Sequence, residues 1–354
     1  MDLSRLLSAF VVLALLTSSC TLFSSDDNGA TSDVVDVAPP PAAPTGLTAL
    51  PGLVLHTNSE SLGRIMDAPE GEGVVVMFVQ PDGPSDGQDI ERGDLLVEVD
   101  GERVTNHERA IAMLRSEPGQ ERRFKLTKVG GDSVDVTVEA RDPQGVQVTD
   151  FYDRELQRNA DDAVTRFLRG WATGPSFEQR LEDLDAAIAQ IPDFVEAVIL
   201  RAGLLWDRAA EDEVSDEEKA DLRRRATADW EAALELDEGN PNALVSRSRA
   251  LSQAGQAARA KADAETAVSA DATFPAAHYS LALAEYRLAN YDAAARPARR
   301  AIDLNPFHFT YYELMGSIFV KLGQQECLET GDALEPLLGN APEAKEQLEQ
   351  VCEG

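Results

Sequence analysis

The sequence predicts a multidomain chain in which a small, mostly-β domain precedes an all-α helical solenoid. Two observations predict this fold class. Short apolar runs rich in β-formers, separated by turn residues, lie between residues 73 and 138. Small residues then recur at intervals of 34, as at Ala233, Ala267 and Ala301, which is the period of a repeat built from two helices.

The composition narrows the classes of partner. The 354 residues leave room for two or three domains, and the net charge is −31. Such an acidic surface repels nucleic-acid phosphates and favours basic or neutral protein partners. The three cysteines and four histidines have no spacing typical of zinc or metalloprotease sites. We therefore expect no metal, no cofactor and no small-molecule substrate.

The N-terminus has the pattern of an export signal. The apolar run Leu6–Leu16 is too short for a membrane-spanning helix but fits the core of a signal peptide. Small residues follow and lead to Cys20. Residues 1–20 therefore resemble the lipobox signal of bacterial lipoproteins, which implies that Cys20 carries the lipid; an ordinary signal peptide of a secreted protein is the alternative. Residues 21–46, rich in Pro, Asp and Ser, are predicted to be a flexible linker.

The β-domain is predicted to contain several strands and one helix. The strands are Gly73–Val79, Leu95–Val99, Phe124–Val129 and Val134–Val138. In the last of these, apolar and polar residues alternate as in a half-buried strand. Thr105 and Glu108 have the spacing of a capping box at the start of a helix, and Pro118-Gly119 should end that helix.

Three segments of this region resemble a PDZ domain, over residues 47–141. Ile90–Gly101 is similar to the family signature I-x-x-G-D-x-I-x-x-V-(D/N)-G, Val79–Pro84 to the turn before it, and Asn106–Ile111 to the helix beside the peptide groove. The resemblance implies that the C-terminal strand of a partner protein adds to a sheet edge. The carboxylate of that strand would then sit among backbone N–H groups.

The loop before the first strand is the candidate carboxylate site. Two registers are compatible with the sequence: the donors are either Gly52 and Leu53, or Leu53, Val54 and Leu55. Because the registers differ by two residues, Leu53 and Leu55 face the groove in both. Pro51 has no N–H to offer.

The groove helix supplies the other wall. The resemblance implies that Ile111 and Leu114 complete an apolar pocket for the terminal side chain. It also implies that His107 bonds a hydroxyl two residues before the carboxylate; an exposed residue that suits a helix start is the alternative. We expect His56 to be a solvent-facing strand residue.

Residues 160–325 resemble tetratricopeptide (TPR) repeats. Ala276–Pro306 is the segment most similar to the family motif, and four to five repeats are expected, with an insertion at about 206–225. Leu184 and Trp230 occupy the same repeat position and should fill the gap between paired helices. A concave surface formed by the first helix of each repeat would bind an extended acidic or aromatic peptide. Its candidate residues are Arg249, Tyr279, Tyr286, Arg287 and Lys321, unless these are ordinary solvated side chains.

The last segment, residues 326–354, is predicted to cap the solenoid. An exported chain meets an oxidising compartment, and with Cys20 acylated an even pair of cysteines remains. We therefore predict a Cys327–Cys352 disulfide, with two unpaired thiols as the alternative.

The combined domains predict a non-catalytic adaptor or scaffold at the cell envelope, facing the periplasm or the cell surface. The PDZ-like groove would bind C-terminal peptides and the repeats a second protein. A regulatory or substrate-presenting partner of an envelope protease, or an envelope assembly factor, is the alternative. No G-x-S-x-G motif is present and the repeats leave no room for a catalytic domain, so we expect no enzyme activity.

Overall fold

The computed structural model describes residues 50–141, 148–172 and 174–322. We call residues 50–141 the β-domain. Its elements are β1 (Leu53–Thr57), α1 (Glu60–Met66), β2 (Val74–Val79), β3 (Leu95–Val99), β4 (Glu102–Arg103), α2 (His107–Leu114), β5 (Glu121–Thr127) and β6 (Ser133–Glu139).

The strands form one antiparallel sheet in the order β1-β2-β3-β5-β6, with β4 paired to β3. This order leaves β1 and β6 at the two edges. The alternation predicted for β6 is confirmed, since Val136 and Val138 are buried while Asp135 and Thr137 are exposed. Helix α2 covers one face of the sheet, where Leu55, Leu114 and Phe124 share a hydrophobic core.

The rest of the described chain is helical. The helices are α3 (Val148–Arg158), α4 (Ala163–Trp171), α5 (Phe177–Gln190), α6 (Val195–Arg208), α7 (Asp216–Leu236), α8 (Pro241–Gln253), α9 (Ala257–Ala270), α10 (Pro275–Arg287), α11 (Tyr291–Leu304) and α12 (Phe309–Leu322). Helices α4 to α11 pack in consecutive pairs, and we call α4–α12 the solenoid. The predicted fold class, a mostly-β domain followed by an all-α solenoid, is confirmed.

The 34-residue period corresponds to the packing of these pairs. Ala233, Ala267 and Ala301 each have 0% exposure, because a methyl group is all that fits where paired helices approach closely. Leu184 and Trp230 are also buried and fill equivalent gaps, as the sequence predicts. Part of the insertion lengthens α7, which has 21 residues where α5, α9 and α11 have 14.

The β-domain lies along the edge of the solenoid formed by the loops between helix pairs. On the sheet face opposite α2, Val75 and Met77 share a hydrophobic cluster with Phe167 of α4. Beside it, Arg64 of α1 forms an ion pair with Asp193, and the Ser61 hydroxyl donates to the Asp193 carbonyl at 2.7 Å. The chain therefore brings its two folded parts into direct contact at several loops.

Candidate functional site

The loop before β1, the candidate carboxylate site, contains a glycine in the left-handed region of backbone conformation. Gly52 has a φ of 74°, and a Cβ at this position would lie 3.0 Å from Pro84 Cδ, so glycine is required on two counts. The loop is fixed from behind, because the Ser85 hydroxyl donates to the Pro51 carbonyl at 2.7 Å and the Gln80 N–H donates to the Gly52 carbonyl at 2.9 Å.

The side chains of β1 have the predicted parity. Leu53 and Leu55 face α2 and its hydrophobic core, whereas Val54 packs on the opposite side with the solenoid cluster. Leu55 is 1% exposed and Leu114 is 2% exposed, so both are core residues, while Leu53 and Ile111 are half-buried. The ligand contacts assigned to these residues and to Gly52 remain predictions.

The far end of the groove is closed by the chain itself. The Thr57 hydroxyl accepts a hydrogen bond from the backbone N–H of His107 at 3.1 Å. It also lies 2.9 Å from the ring nitrogen Nδ1 of His107. The His107 ring stacks on His56 at 5.1 Å and contacts Trp171 and Phe274 of the solenoid. Burial, and then the nearby His56, lower the pKa of His107 to about 3. His107 therefore has other partners than the peptide hydroxyl that the resemblance implies.

His56 also differs from expectation. It is 8% exposed, so the prediction of a solvent-facing residue is wrong. Its ring lies 5.9 Å from Phe167 and 5.5 Å from Trp171, because α4 packs over this end of β1. Strand alternation alone gives no information about a helix that lies more than a hundred residues further along the chain.

The predicted capping box is replaced by a junction with the solenoid. Asn106, not Thr105, is the N-cap of α2 and accepts the Arg109 N–H at 2.8 Å. Glu108 does not reach back to the cap. Its carboxylate accepts hydrogen bonds from the Tyr311 hydroxyl, from Asn305 Nδ2 at 3.1 Å and from the Ala276 N–H at 3.1 Å.

The neighbouring residues of α2 extend this junction. Asn106 Nδ2 and the Thr105 hydroxyl donate to Asp271 Oδ2 at 2.8 and 2.9 Å, and Arg109 donates to the Leu304 carbonyl at 2.7 Å. Asp271 and Asn305 are the residues that end α9 and α11, one repeat apart. The repeat period therefore places two equivalent polar side chains along one edge, and the start of α2 binds both.

The candidate concave residues all lie on the first helix of a pair. Arg287 and Lys321 are exposed, whereas Tyr279 and Tyr286 are half-buried. Tyr279 packs 5.1 Å from Tyr311, and burial raises its pKa to about 12. Arg249 lies 3.8 Å from Asp207. Their binding of a second peptide remains a prediction.

Other expectations concern parts of the chain that the structure leaves undescribed. Cys20, Cys327 and Cys352 lie outside the described residues. Within residues 50–141, 148–172 and 174–322, no cluster of His, Cys, Asp and Glu is arranged to hold a metal ion. Across the same ranges no helix has the length and apolar character needed to cross a membrane.

Comparisons with known proteins give one family match and several similar solved structures. Residues 75–128 match the family model of the PDZ domain. No curated protein matches the chain. Similar solved structures include a thermophilic TPR protein of Thermus thermophilus, with 14% identity, coverage of 49% of this chain and 89% of that one, and a TM-score of 0.43.

Two further structures are similar to parts of the chain. Yeast Tom70 has 14% identity and a TM-score of 0.44, with coverage of 59% of this chain and 43% of that one. The HtrA-type protease AlgW, solved with a decapeptide, has 21% identity and a TM-score of 0.26, with coverage of 28% of this chain and 30% of that one. The family match, the sheet and the 34-residue helix pairs together identify a chain that contains a PDZ domain followed by a TPR-like solenoid.

Proposed function

We propose that this protein is a non-catalytic scaffold at the cell envelope whose PDZ domain binds protein C-termini by strand addition at β1. PDZ and TPR-like units are protein-interaction modules, so their combination supports an interaction role. A second partner on the solenoid would be brought close to the first, because both sites belong to one chain.

The observation that carries the proposal is the position of β1 at the edge of the sheet. Strand β1 pairs with β2 on one side, and no strand within the described ranges pairs with its other side. The left-handed Gly52 lies at the start of this edge, and the half-buried Leu53 lies next to it. An incoming strand would thus find backbone partners and an apolar side chain together.

The contact between Thr57 and His107 limits the length of the site. From Leu53 to Leu55 the edge extends two residue steps, or roughly 7 Å at about 3.3 Å per residue. Beyond it, the end of β1 and the start of α2 are joined by hydrogen bonds. In this arrangement the groove accepts the last two or three residues of a partner.

Short peptides with an apolar last residue test the proposal. Fluorescence polarisation should detect the free-acid peptide, and amidation of its carboxylate should weaken binding, because backbone N–H groups favour an anion. Leu53→Glu should weaken binding by about tenfold, since it places a charge beside that carboxylate. Val129→Glu, at a 42% exposed site in the turn after β5, is the control. Equal binding of the free-acid and the amidated peptide would count against the groove. So would a Leu53→Glu variant that binds the peptide as tightly as the wild type.

A further inference from the structure

A cavity of about 170 Å³ lies between the PDZ domain and the solenoid. Its walls include His56 of β1, His107 of α2, Phe167 and Trp171 of α4, Glu196 of α6 and Asn242 of α8. An engineered apolar cavity of about 150 Å³ holds a benzene molecule, so this one has room for the head group of a single side chain. It is distinct from the Gly52 end of the groove.

The cavity contains a buried carboxylate with an unused oxygen. Glu196 is 3% exposed, and the Ser59 hydroxyl donates to its Oε1. Its Oε2 atom is buried and has no hydrogen-bond partner among the described residues. An unsatisfied buried carboxylate oxygen is unfavourable, so a hydrogen-bond donor bound in the cavity would stabilise Glu196.

The remaining walls suit a cation. The faces of aromatic rings carry partial negative charge and attract ammonium and guanidinium groups within about 6 Å. His56 and Trp171 lie 5.5 Å apart and Phe167 and Trp171 6.0 Å apart, so these rings form a continuous aromatic wall. The pKa of His107 is lowered to about 3 by burial, so its ring is neutral and does not repel a positive group.

Other ligand classes fit less well. An anion would be repelled by Glu196, and an apolar group would leave Oε2 without a donor. A metal ion would need more ligands, and the described residues contain no group of three or more that is arranged for one. No Lys or Arg of the described chain lines the cavity.

We propose that this cavity binds an alkylammonium or guanidinium group, with Glu196 as its counter-charge and Trp171 as its aromatic wall. A Lys or Arg side chain of a partner protein has this chemistry, and so does a free alkylamine. The net charge of −31 favours cationic ligands of both kinds in the encounter step.

Nuclear magnetic resonance of the indole N–H groups tests the proposal on the full chain. The chain has three tryptophans, and Trp171→Leu assigns the signal of Trp171 by its loss. Titration with Nα-acetyl-lysine-N-methylamide should shift that signal to saturation, whereas the norleucine analogue, which has nearly the same shape without the charge, should not. A parallel titration with n-butylammonium distinguishes a lysine side chain from a free alkylamine. The compound that saturates the shift at the lower concentration represents the ligand that fits the cavity better.

Glu196→Gln should raise the midpoint of the lysine titration at least tenfold while the protein keeps its thermal unfolding temperature, because glutamine has the same shape. Glu182→Gln removes an exposed charge from α5 and should leave the midpoint unchanged. Trp171→Leu should weaken calorimetric binding of the same probe several-fold. The proposal is overturned if neither cation shifts the Trp171 signal, if norleucine shifts it equally, or if Glu196→Gln binds like the wild type.

Discussion

At the scale of single residues, the Glu108 carboxylate joins the two parts of the chain. It belongs to α2 of the PDZ domain, and its hydrogen-bond donors belong to α10, to the end of α11 and to α12. Burial raises the pKa of Glu108, and the bonds from Tyr311, Asn305 and the Ala276 N–H oppose that rise. Because the pKa is raised, the stability contributed by Glu108 is greatest at acid pH and declines as the pH rises through its folded value.

Tyr311→Phe tests how much the hydrogen bond from the Tyr311 hydroxyl to Glu108 contributes to stability. The change removes one hydrogen-bond donor from the buried carboxyl group of Glu108, which should lower the free energy of unfolding by about 1–3 kcal/mol near neutral pH. The loss should shrink in acid, where Glu108 takes up a proton and depends less on donors. Urea unfolding of the variant and the wild type, near neutral pH and in acid, gives the loss of unfolding free energy under each condition.

Tyr279→Phe is the matched control for that prediction. The Tyr279 ring lies 5.1 Å from Tyr311, but its hydroxyl makes no hydrogen bond with a described residue. Its removal should change stability by less than about 0.5 kcal/mol. Equal losses in the two variants would mean that the hydroxyl of Tyr311 contributes nothing specific to Glu108.

At the scale of elements, two helical glycines differ in what surrounds them. A Cβ at Gly170 of α4 would lie 2.9 Å from Leu184 Cγ of α5, whereas a Cβ at Gly203 of α6 would have its nearest neighbour at 3.9 Å. Leu184 is fully buried and has little room to move. The first glycine therefore sets the distance between paired helices, and the second does not.

Alanine at these two positions should have opposite effects. Gly170→Ala forces α4 and α5 apart and should cost about 1–3 kcal/mol of stability. Gly203→Ala stiffens a helix without a clash and should add about 0.5–1 kcal/mol. Thermal unfolding of both variants compares them directly, and stabilisation by both would show that the α4–α5 contact adapts freely.

Some of these elements can be predicted from the sequence, and others cannot. Strand β3 lies where the run Leu95–Val99 predicts it, because four of its five residues are apolar and turn residues follow them. Helix α1 (Glu60–Met66) has no such signal, since its seven residues are too few to show a helical period. The cap at Asn106 and the reach of Glu108 depend on Asp271 and Tyr311, and local patterns cannot indicate which distant loop a polar side chain will meet.

At the scale of the whole molecule, the spacing of the repeats places two loop residues where both bind α2 of the PDZ domain. Asp237, Asp271 and Asn305 end successive second helices at intervals of 34 residues. Asp271 and Asn305 bind α2, whereas Asp237 accepts its side-chain bond from Asn240 within its own loop. The orientation of the PDZ domain thus depends on two repeats. The start of α2, which these repeats bind, is also hydrogen-bonded to Thr57 at the end of β1 through His107.

Asp271→Ala should loosen this attachment and lengthen the usable groove. The variant loses the acceptor of Thr105 and Asn106, so backbone amides of α2 should exchange hydrogen faster. A six-residue C-terminal peptide should then bind about fivefold more tightly, within the usual range of coupling between sites. A three-residue peptide should gain nothing, because it ends before the contact of Thr57 with His107.

Asp237→Ala separates this coupling from a general loss of repeat stability. It removes the equivalent carboxylate one repeat earlier, so it should disturb its loop without changing hydrogen exchange in α2 or the affinity of either peptide. If Asp271→Ala and Asp237→Ala behave alike, or if both peptides gain equally in Asp271→Ala, then docking does not control groove length. A gain confined to the longer peptide would make the solenoid a limiter of which C-termini the PDZ domain accepts, since displacing α2 is a cost that only the longer peptide has to meet.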